Sequence, residues 1–351
     1  MATAAADRSS PSRIAGRRVL LGGAGAVALG AGVLVGITEA FGKGDLTTGD
    51  AAILRFLAAA EILDTDLWQQ YNELCGIQDA AVPGGTGNPV FTKIMATFDP
   101  DMGQYVHDTT HDEMTHVTFL NGYLQSRGAE PVNLDAFRTL PSSTATGAQQ
   151  IGRLTNLMAL TIDTSWYTQC RAHRNNPDLG AAFPAAIPGL LKGACPAIPR
   201  SDADLEPDKH LQAIANTAAF HLATIEQCAT SLYPALAQRV KDPEVLKVVL
   251  SIAPTETTFL RFDLPVRSII RPTNTKRAAM GAAKFLTAMG LFKGQPPAFF
   301  AALKTFARQA DAATRRPSSL RRSADPMGGG AAEHHPERHL GQARAAAAVQ
   351  T

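Results

Sequence analysis

The chain has 351 residues and a net charge of +2, and only 6% of its residues are aromatic. Sparse aromatic residues with plentiful alanine and leucine favour helix over sheet. The charge is unevenly distributed: residues 1–44 carry +3, residues 45–275 carry −9 and residues 276–351 carry +8. An acidic middle segment suits the binding of cations and argues against a specific nucleic-acid partner.

An export signal or an N-terminal anchor is predicted for residues 1–44. Arg17 and Arg18 precede an uncharged run, 19–38, that is rich in glycine, alanine, valine and leucine. The arrangement resembles a twin-arginine export signal. The alternative is an uncleaved membrane anchor, because the run is nearly long enough to span a bilayer. We therefore expect export to the periplasm or cell envelope, with membrane contact only through this segment if it stays uncleaved.

Helical periodicity dominates residues 45–271, which we assign to a single helical bundle. Asp99 and Pro100 are typical of a helix start, and Gly128 of a helix end. Helices are predicted over about residues 50–74, 100–127, 150–173 and 208–232, with a fifth beginning near Pro243. The proline- and glycine-rich segment 177–207 predicts a long crossover connection between the third and fourth helices.

Residues 111–120 carry the most distinctive pattern in the chain. Glu113 precedes His116 by three residues, so both side chains lie on one face of the predicted helix. Burial of a carboxylate and an imidazole costs free energy unless something pairs with them. Glu-x-x-His is also the recurring ligand pair of metal sites in helical bundles. By itself the pattern leaves two interpretations open. Glu113 and His116 either bind a metal, or they pair with each other or face the solvent.

Further carboxylates lie on the apolar stripes of other predicted helices. Glu61 belongs to the first helix, Asp163 to the third, Glu226 to the fourth and Glu256 to the fifth. Each could be an isolated hydrogen-bonded residue, but several helices that each place a carboxylate on an apolar stripe indicate a shared site. Oxygen ligands together with an imidazole suit iron or manganese, and zinc is also compatible with them.

About 215 residues, 50–265, resemble the ferritin-like domain family that includes plant desiccation-related proteins and fungal and bacterial stress-associated relatives. The segments that carry the resemblance are 59–61, 112–120, 213–227 and 250–256. It implies an all-α fold, a ferritin-like up-down helical bundle with a long crossover connection. It also implies a di-metal site with ligands Glu61, Glu113, His116 and Glu256. The remaining helix would contribute Glu226, with Asp163 as the weaker candidate.

The chain departs from the family pattern at one position. A second Glu-x-x-His would run from Glu256 to residue 259, which is Phe259. A phenyl ring cannot coordinate a metal in this way, so the site is partly degenerate. His221 on the fourth helix is a candidate substitute; the alternative is a core histidine hydrogen-bonded to a hydroxyl. Without a substitute, the second metal would bind weakly or not at all.

The sequence thus predicts an exported ferritin-like metal-binding protein whose cofactor is iron, in a di-iron or mono-iron site, with manganese as a substitute. The active form would be an iron-dependent oxidase. The alternative is a non-enzymatic scaffold associated with stress or desiccation. Besides metal ions, a second copy of the chain is a candidate partner.

The C-terminal tail and the cysteines complete the prediction. Residues 272–351 read as a basic tail that is partly helical, around apolar clusters at 285–292 and 299–306, and then disordered. The four cysteines, Cys75, Cys170, Cys195 and Cys228, allow three complete pairings, and disulfides would require export.

Overall fold

The computed structural model of the protein describes residues 45–163, 184, 193–206, 211–262 and 290–314. These residues form six α-helices: α1 (Thr48–Cys75), α2 (Pro89–Met95), α3 (Met102–Ser126), α4 (Leu211–Ala237), α5 (Pro243–Phe262) and α6 (Pro297–Thr314). Within the described ranges there is no strand, only an isolated antiparallel bridge between Leu140 and Arg153. The predicted export signal, residues 164–173 of the predicted third helix and the tail beyond residue 314 lie outside them.

The helix directions fit a long connection between α3 and α4, although about half of the predicted crossover segment, 177–207, lies outside the described residues. α1 and α3 are antiparallel, because Arg55 donates to the carbonyl of Glu130 while the hydroxyl of Thr110 donates to the carbonyl of Trp68. By the same reasoning α4 is antiparallel to α1, since contacts join Glu61 to Tyr233 and Tyr71 to His221. α3 and α4 therefore run in the same direction, and the chain between them must return along the bundle. This is the connectivity of ferritin-like folds, which have one long crossover.

Helix boundaries follow local capping chemistry. Thr47 accepts a hydrogen bond from the backbone N–H of Asp50 at 3.1 Å and so begins α1, close to the predicted start. α3 begins at Met102 rather than at Pro100, because the Asp99 carboxylate turns the chain by accepting from the N–H of Asp101. Gly128 has a φ of 70° and follows the end of α3, as predicted for a helix stop.

The third predicted helix is wrong over residues 150–163, which form turns and irregular chain. The reason is that α1 supplies partners for backbone groups that a helix would use internally. The buried carboxylate of Asp66 accepts hydrogen bonds from the N–H groups of Leu154 and Thr155, at 3.1 and 2.9 Å. A Cβ on Gly152 would lie 2.1 Å from the carbonyl oxygen of Arg138. The apolar stripe seen in the sequence packs on α1 without being helical.

α1 is the central element of the core. Its large side chains Leu57, Trp68 and Tyr71 are fully buried. α6 also packs on α1, and the guanidinium of Arg55 lies 5.5 Å from the centroid of the Phe306 ring. The later of the two predicted apolar clusters therefore contacts the bundle. None of the described helices is both long enough and apolar enough to cross a membrane.

Candidate metal centre

Four side chains from three helices converge in the interior of the bundle: Glu61 of α1, Glu113 and His116 of α3, and Glu256 of α5. One ligand atom from each lies within 4.8 Å of all the others. Their exposures are 3%, 0%, 7% and 1%, so the group is closed to bulk water. Glu113 and His116 share a face of α3 because they are three residues apart, as the sequence predicted. We call these four residues the carboxylate centre.

His116 is at the middle of the carboxylate centre. Its Nδ1 lies 3.4 Å from Glu61 Oε2, 3.4 Å from Glu113 Oε2 and 3.3 Å from Glu256 Oε1. Its Nε2 lies 3.3 Å from the hydroxyl oxygen of Thr255, which donates its own proton to the carbonyl of Ile252 at 2.7 Å. A hydroxyl that donates elsewhere accepts from an N–H, so these bonds assign a proton to Nε2 and turn Nδ1 to the carboxylates.

Tyr233 of α4 is a member of the site that the sequence did not indicate. Its hydroxyl donates a hydrogen bond to Oε1 of Glu61, and the side chain is fully buried. An aromatic residue inside an apolar helix reads as core packing. The available signal was its spacing, seven residues after Glu226 and thus two turns along the same face of α4.

Burial and mutual repulsion govern the charges. Burial raises the pKa of Glu113 well above its ordinary value, and the charges of Glu256 and Glu61 raise it further. The pKa of Glu256 is also raised well above its ordinary value, first by burial and then by Glu61. Burial acts to raise the pKa of Glu61 as well, but its interactions with His116, Glu113 and Tyr233 outweigh burial and lower the pKa. Without a cation, protons must offset the repulsion of this group.

The donor atoms of the carboxylate centre fit a metal ion. Among the described residues no hydrogen-bond donor reaches Glu61 Oε2, Glu113 Oε1 or either carboxylate oxygen of Glu256. Buried acceptors without donors are costly, and most native structures avoid them. A cation would satisfy all of these oxygens at once. Three carboxylates with an imidazole form the oxygen-rich donor set that iron and manganese accept.

The other predicted ligands lie elsewhere. Glu226 is fully buried on α4 but is not part of the group of four. Burial raises the pKa of the Cys228 thiol, and the charge of Glu226 adds to that rise. Asp163 is outside the group and outside any described helix. The Nδ1 atom of His221 lies 2.8 Å from the hydroxyl of Tyr71. His221 is therefore a core histidine hydrogen-bonded to a hydroxyl, which was the alternative to its role as a substitute ligand.

Asp64, one turn after Glu61, was not predicted; burial raises its pKa well above the ordinary value, and the charge of Glu61 adds to the effect. No disulfide joins Cys75, Cys195 and Cys228, and Cys170 lies outside the described residues.

Comparison with known families agrees with the fold. The model of the ferritin-like domain family matches residues 49–258. The chain belongs to the ferritin-like domain family. The match covers more than half of the chain and contains the whole carboxylate centre. No curated protein and no solved structure is significantly similar to the chain.

Proposed function

We propose that the protein binds iron at the carboxylate centre, with Glu61, Glu113, His116 and Glu256 as ligands and manganese as the alternative metal. The observation that carries the proposal is the convergence of four buried ligand atoms within 4.8 Å, with carboxylate oxygens that have no donor among the described residues. Such a cluster is expensive to bury without a cation, which supports binding as its role.

The chain's own residues would prepare the site. Tyr233 holds one oxygen of Glu61 and leaves the other for the cluster. Thr255 orients the ring of His116. Glu113 and Glu256, whose pKa values are raised by burial, would release protons as a metal binds, so affinity would increase with pH. Bound iron would supply redox chemistry toward dioxygen or peroxide.

An iron-dependent oxidase is the activity we propose for this centre, and Phe259 supports a second candidate. The residue three positions after Glu256 is not histidine, so this half of the site has fewer ligands than the family pattern. A site with a single metal would favour a binding or scaffold role, associated with stress or desiccation, over two-metal oxidation.

Metal titration tests the proposal directly. Untagged protein is stripped with a chelator and titrated anaerobically with ferrous iron, and elemental analysis gives the metal content. We expect about one or two ions per chain, and loss of binding in Glu113→Gln/His116→Gln. His107→Gln, which removes an imidazole of α3 outside the centre, is the matched control. Equal binding by the wild type and the double variant would remove the proposal.

Oxygen consumption then separates an oxidase from a scaffold. Ferrous iron is added to the protein in aerated buffer, and the rate is compared with that of Glu113→Gln/His116→Gln. A rate above the variant's supports the oxidase. Metal binding with equal oxygen consumption supports the scaffold.

We also propose that the protein is exported through its N-terminal segment. Arg17, Arg18 and the uncharged run 19–38 support this proposal. The test is fractionation of cells that express the full chain. Arg17→Lys/Arg18→Lys should keep the protein in the cytoplasm, and an unchanged distribution would contradict export by a twin-arginine route.

A further inference from the structure

A second buried polar arrangement lies away from the carboxylate centre. Tyr71 of α1 and His221 of α4 are both fully buried, and 2.8 Å separates the Tyr71 hydroxyl from Nδ1 of His221. Tyr71 follows Glu61 by ten residues on α1, which is about 15 Å along a helix. The pair is therefore separate from the proposed metal ligands.

The position of the proton follows from the bonding. Burial lowers the pKa of His221 to about 3, so the ring is neutral and carries one N–H. Among the described residues, Nε2 has no hydrogen-bond partner. With the proton on Nε2, Nδ1 accepts from the Tyr71 hydroxyl and only one group is left unpaired. The other tautomer would leave both Nε2 and the phenolic proton unpaired, so Tyr71 donates to His221.

Aromatic rings connect the pair to the surface. The ring of Trp68 contacts that of Tyr71 with 6.2 Å between centroids and that of Tyr105 with 5.7 Å, both edge-on. Trp68 and Tyr71 are fully buried, whereas Tyr105 on α3 is partly exposed. Both distances are within the usual range for contacting aromatic pairs. Tryptophan and tyrosine are also among the side chains most readily oxidised by one electron.

We propose that Tyr71 and His221 form a proton-coupled redox pair that exchanges single electrons, through Trp68 and Tyr105, with a small one-electron carrier in solution. An oxidant takes one electron from the ring of Tyr105, which takes one from Trp68, which takes one from Tyr71. The phenolic O–H bond of Tyr71 breaks as its electron leaves, and the proton passes to Nδ1 of His221. The products are a neutral tyrosyl radical, an imidazolium and one reduced carrier; a one-electron reductant reverses the step.

His221 is what makes this step accessible at a buried site. A phenol in the core cannot release its proton to water, so without a neighbouring base oxidation would leave a high-energy, strongly acidic phenol radical cation. A neutral imidazole at hydrogen-bond distance accepts that proton without large movement.

Photochemical oxidation of the metal-free protein tests the pair. After treatment with a chelator, photo-oxidised ruthenium tris-bipyridine serves as the oxidant, and the radical is followed by transient absorption and electron paramagnetic resonance. We expect a tyrosyl radical in the wild type that is lost in Tyr71→Phe. His221→Gln should slow its formation about a hundredfold, as expected for loss of a positioned base, and abolish the solvent deuterium isotope effect.

Tyr123→Phe is the matched control. It also removes a buried tyrosine, but the hydroxyl of Tyr123 accepts a hydrogen bond from Arg127 at 2.7 Å rather than facing a base. It should leave the radical signal unchanged. Trp68→Phe should slow radical formation while Tyr71 is still present.

Two results would overturn the proposal: a radical of the same yield and lifetime in Tyr71→Phe, or an unchanged rate and isotope effect in His221→Gln. Circular dichroism and thermal unfolding establish that each variant is folded, and the conservative Tyr71→Phe keeps the test valid if His221→Gln does not fold. Because the protein has been stripped of bound metal, the outcome is independent of iron binding.

Discussion

Thr255 lies on the far side of the His116 ring from the three carboxylates: its hydroxyl oxygen is 3.3 Å from Nε2, while Nδ1 faces Glu61, Glu113 and Glu256. Thr255 and Glu256 are adjacent in α5, and adjacent residues of a helix point about 100° apart. One helix therefore contacts both sides of the same imidazole. The ring can present only Nδ1 to a metal.

Loss of this contact should weaken metal binding without removing a ligand. Thr255→Val is nearly isosteric but cannot accept from Nε2, so the ring of His116 would lose its fixed orientation and tautomer. We expect about tenfold lower affinity for ferrous iron, measured by anaerobic titration. Thr257→Val is the control, because among the described residues the hydroxyl of Thr257 bonds only to the carbonyl of Ala253 in the same helix. Equal weakening by both variants would show that α5 itself had been perturbed.

Phe259→His should increase the metal content. The substitution restores the second Glu-x-x-His from Glu256 onward, at the three-residue spacing that lets both side chains contact one site. Where the wild type binds about one ion per chain, we expect Phe259→His to bind about two, by elemental analysis of loaded protein. Phe259→Leu, which adds no ligand, should bind as the wild type does. An unchanged stoichiometry in Phe259→His would contradict the assignment of position 259 as the missing ligand.

The loop that holds Asp79 should be sensitive to pH because of its contact with His107. Its Nε2 lies 3.0 Å from Asp79 and its Nδ1 lies 3.0 Å from Asp108. A neutral imidazole has one N–H, so both bonds form only when the ring is protonated. Burial acts to lower the pKa of His107, but the hydrogen bonds and charges of Asp108 and Asp79 outweigh it and raise the pKa.

The sign of the pH effect follows from that shift. Because the pKa of His107 is higher in the folded state than in the unfolded state, the contact is fully stabilising at pH values below the unfolded-state pKa. This stabilisation is lost as the pH rises through the folded-state pKa. We expect the amides of Ala81 and Val82, which donate to Asp79, to exchange with deuterium faster relative to the intrinsic rate as the pH rises from about 6 to about 8. His107→Gln should abolish the change and His111→Gln should keep it. Identical protection at both pH values in the wild type would argue against the role of His107.

The ion pair between Glu73 and Arg153 should be a major contributor to stability. Both residues are buried, and Nη2 of Arg153 lies 2.7 Å from Oε1 of Glu73. Arg153→Ala leaves a buried carboxylate unpaired and should lower the free energy of unfolding in urea by about 3 kcal/mol.

Two variants calibrate that measurement. Arg200→Ala breaks an exposed pair with Asp204 and should cost less than about 1 kcal/mol. Glu73→Gln/Arg153→Met should recover most of the loss, because no unpaired charge remains. A single-variant cost no larger than that of Arg200→Ala would show that the buried pair contributes little.

The convergence of the centre was predictable because each member lies on a periodic apolar helix. The spacing of Glu113 and His116 fixes their common face, and Glu61 and Glu256 follow the stripes of long helices with clear starts. Periodicity of this kind depends only on local geometry. Periodicity therefore predicted the all-α class and placed these four residues on inward faces, but it placed Glu226 and Asp163 there as well. The resemblance to the family was needed to select the four.

The partners of side chains from different helices depend on the tertiary fold. Residues 150–163 have helical periodicity, yet the segment is not helical. Asp66 of α1 accepts hydrogen bonds from the N–H groups of Leu154 and Thr155. Tyr233 reaches Glu61 and His221 reaches Tyr71 only because α4 runs antiparallel to α1. Contacts between residues far apart in the chain depend on helix direction and rotation in the bundle, which no local pattern encodes.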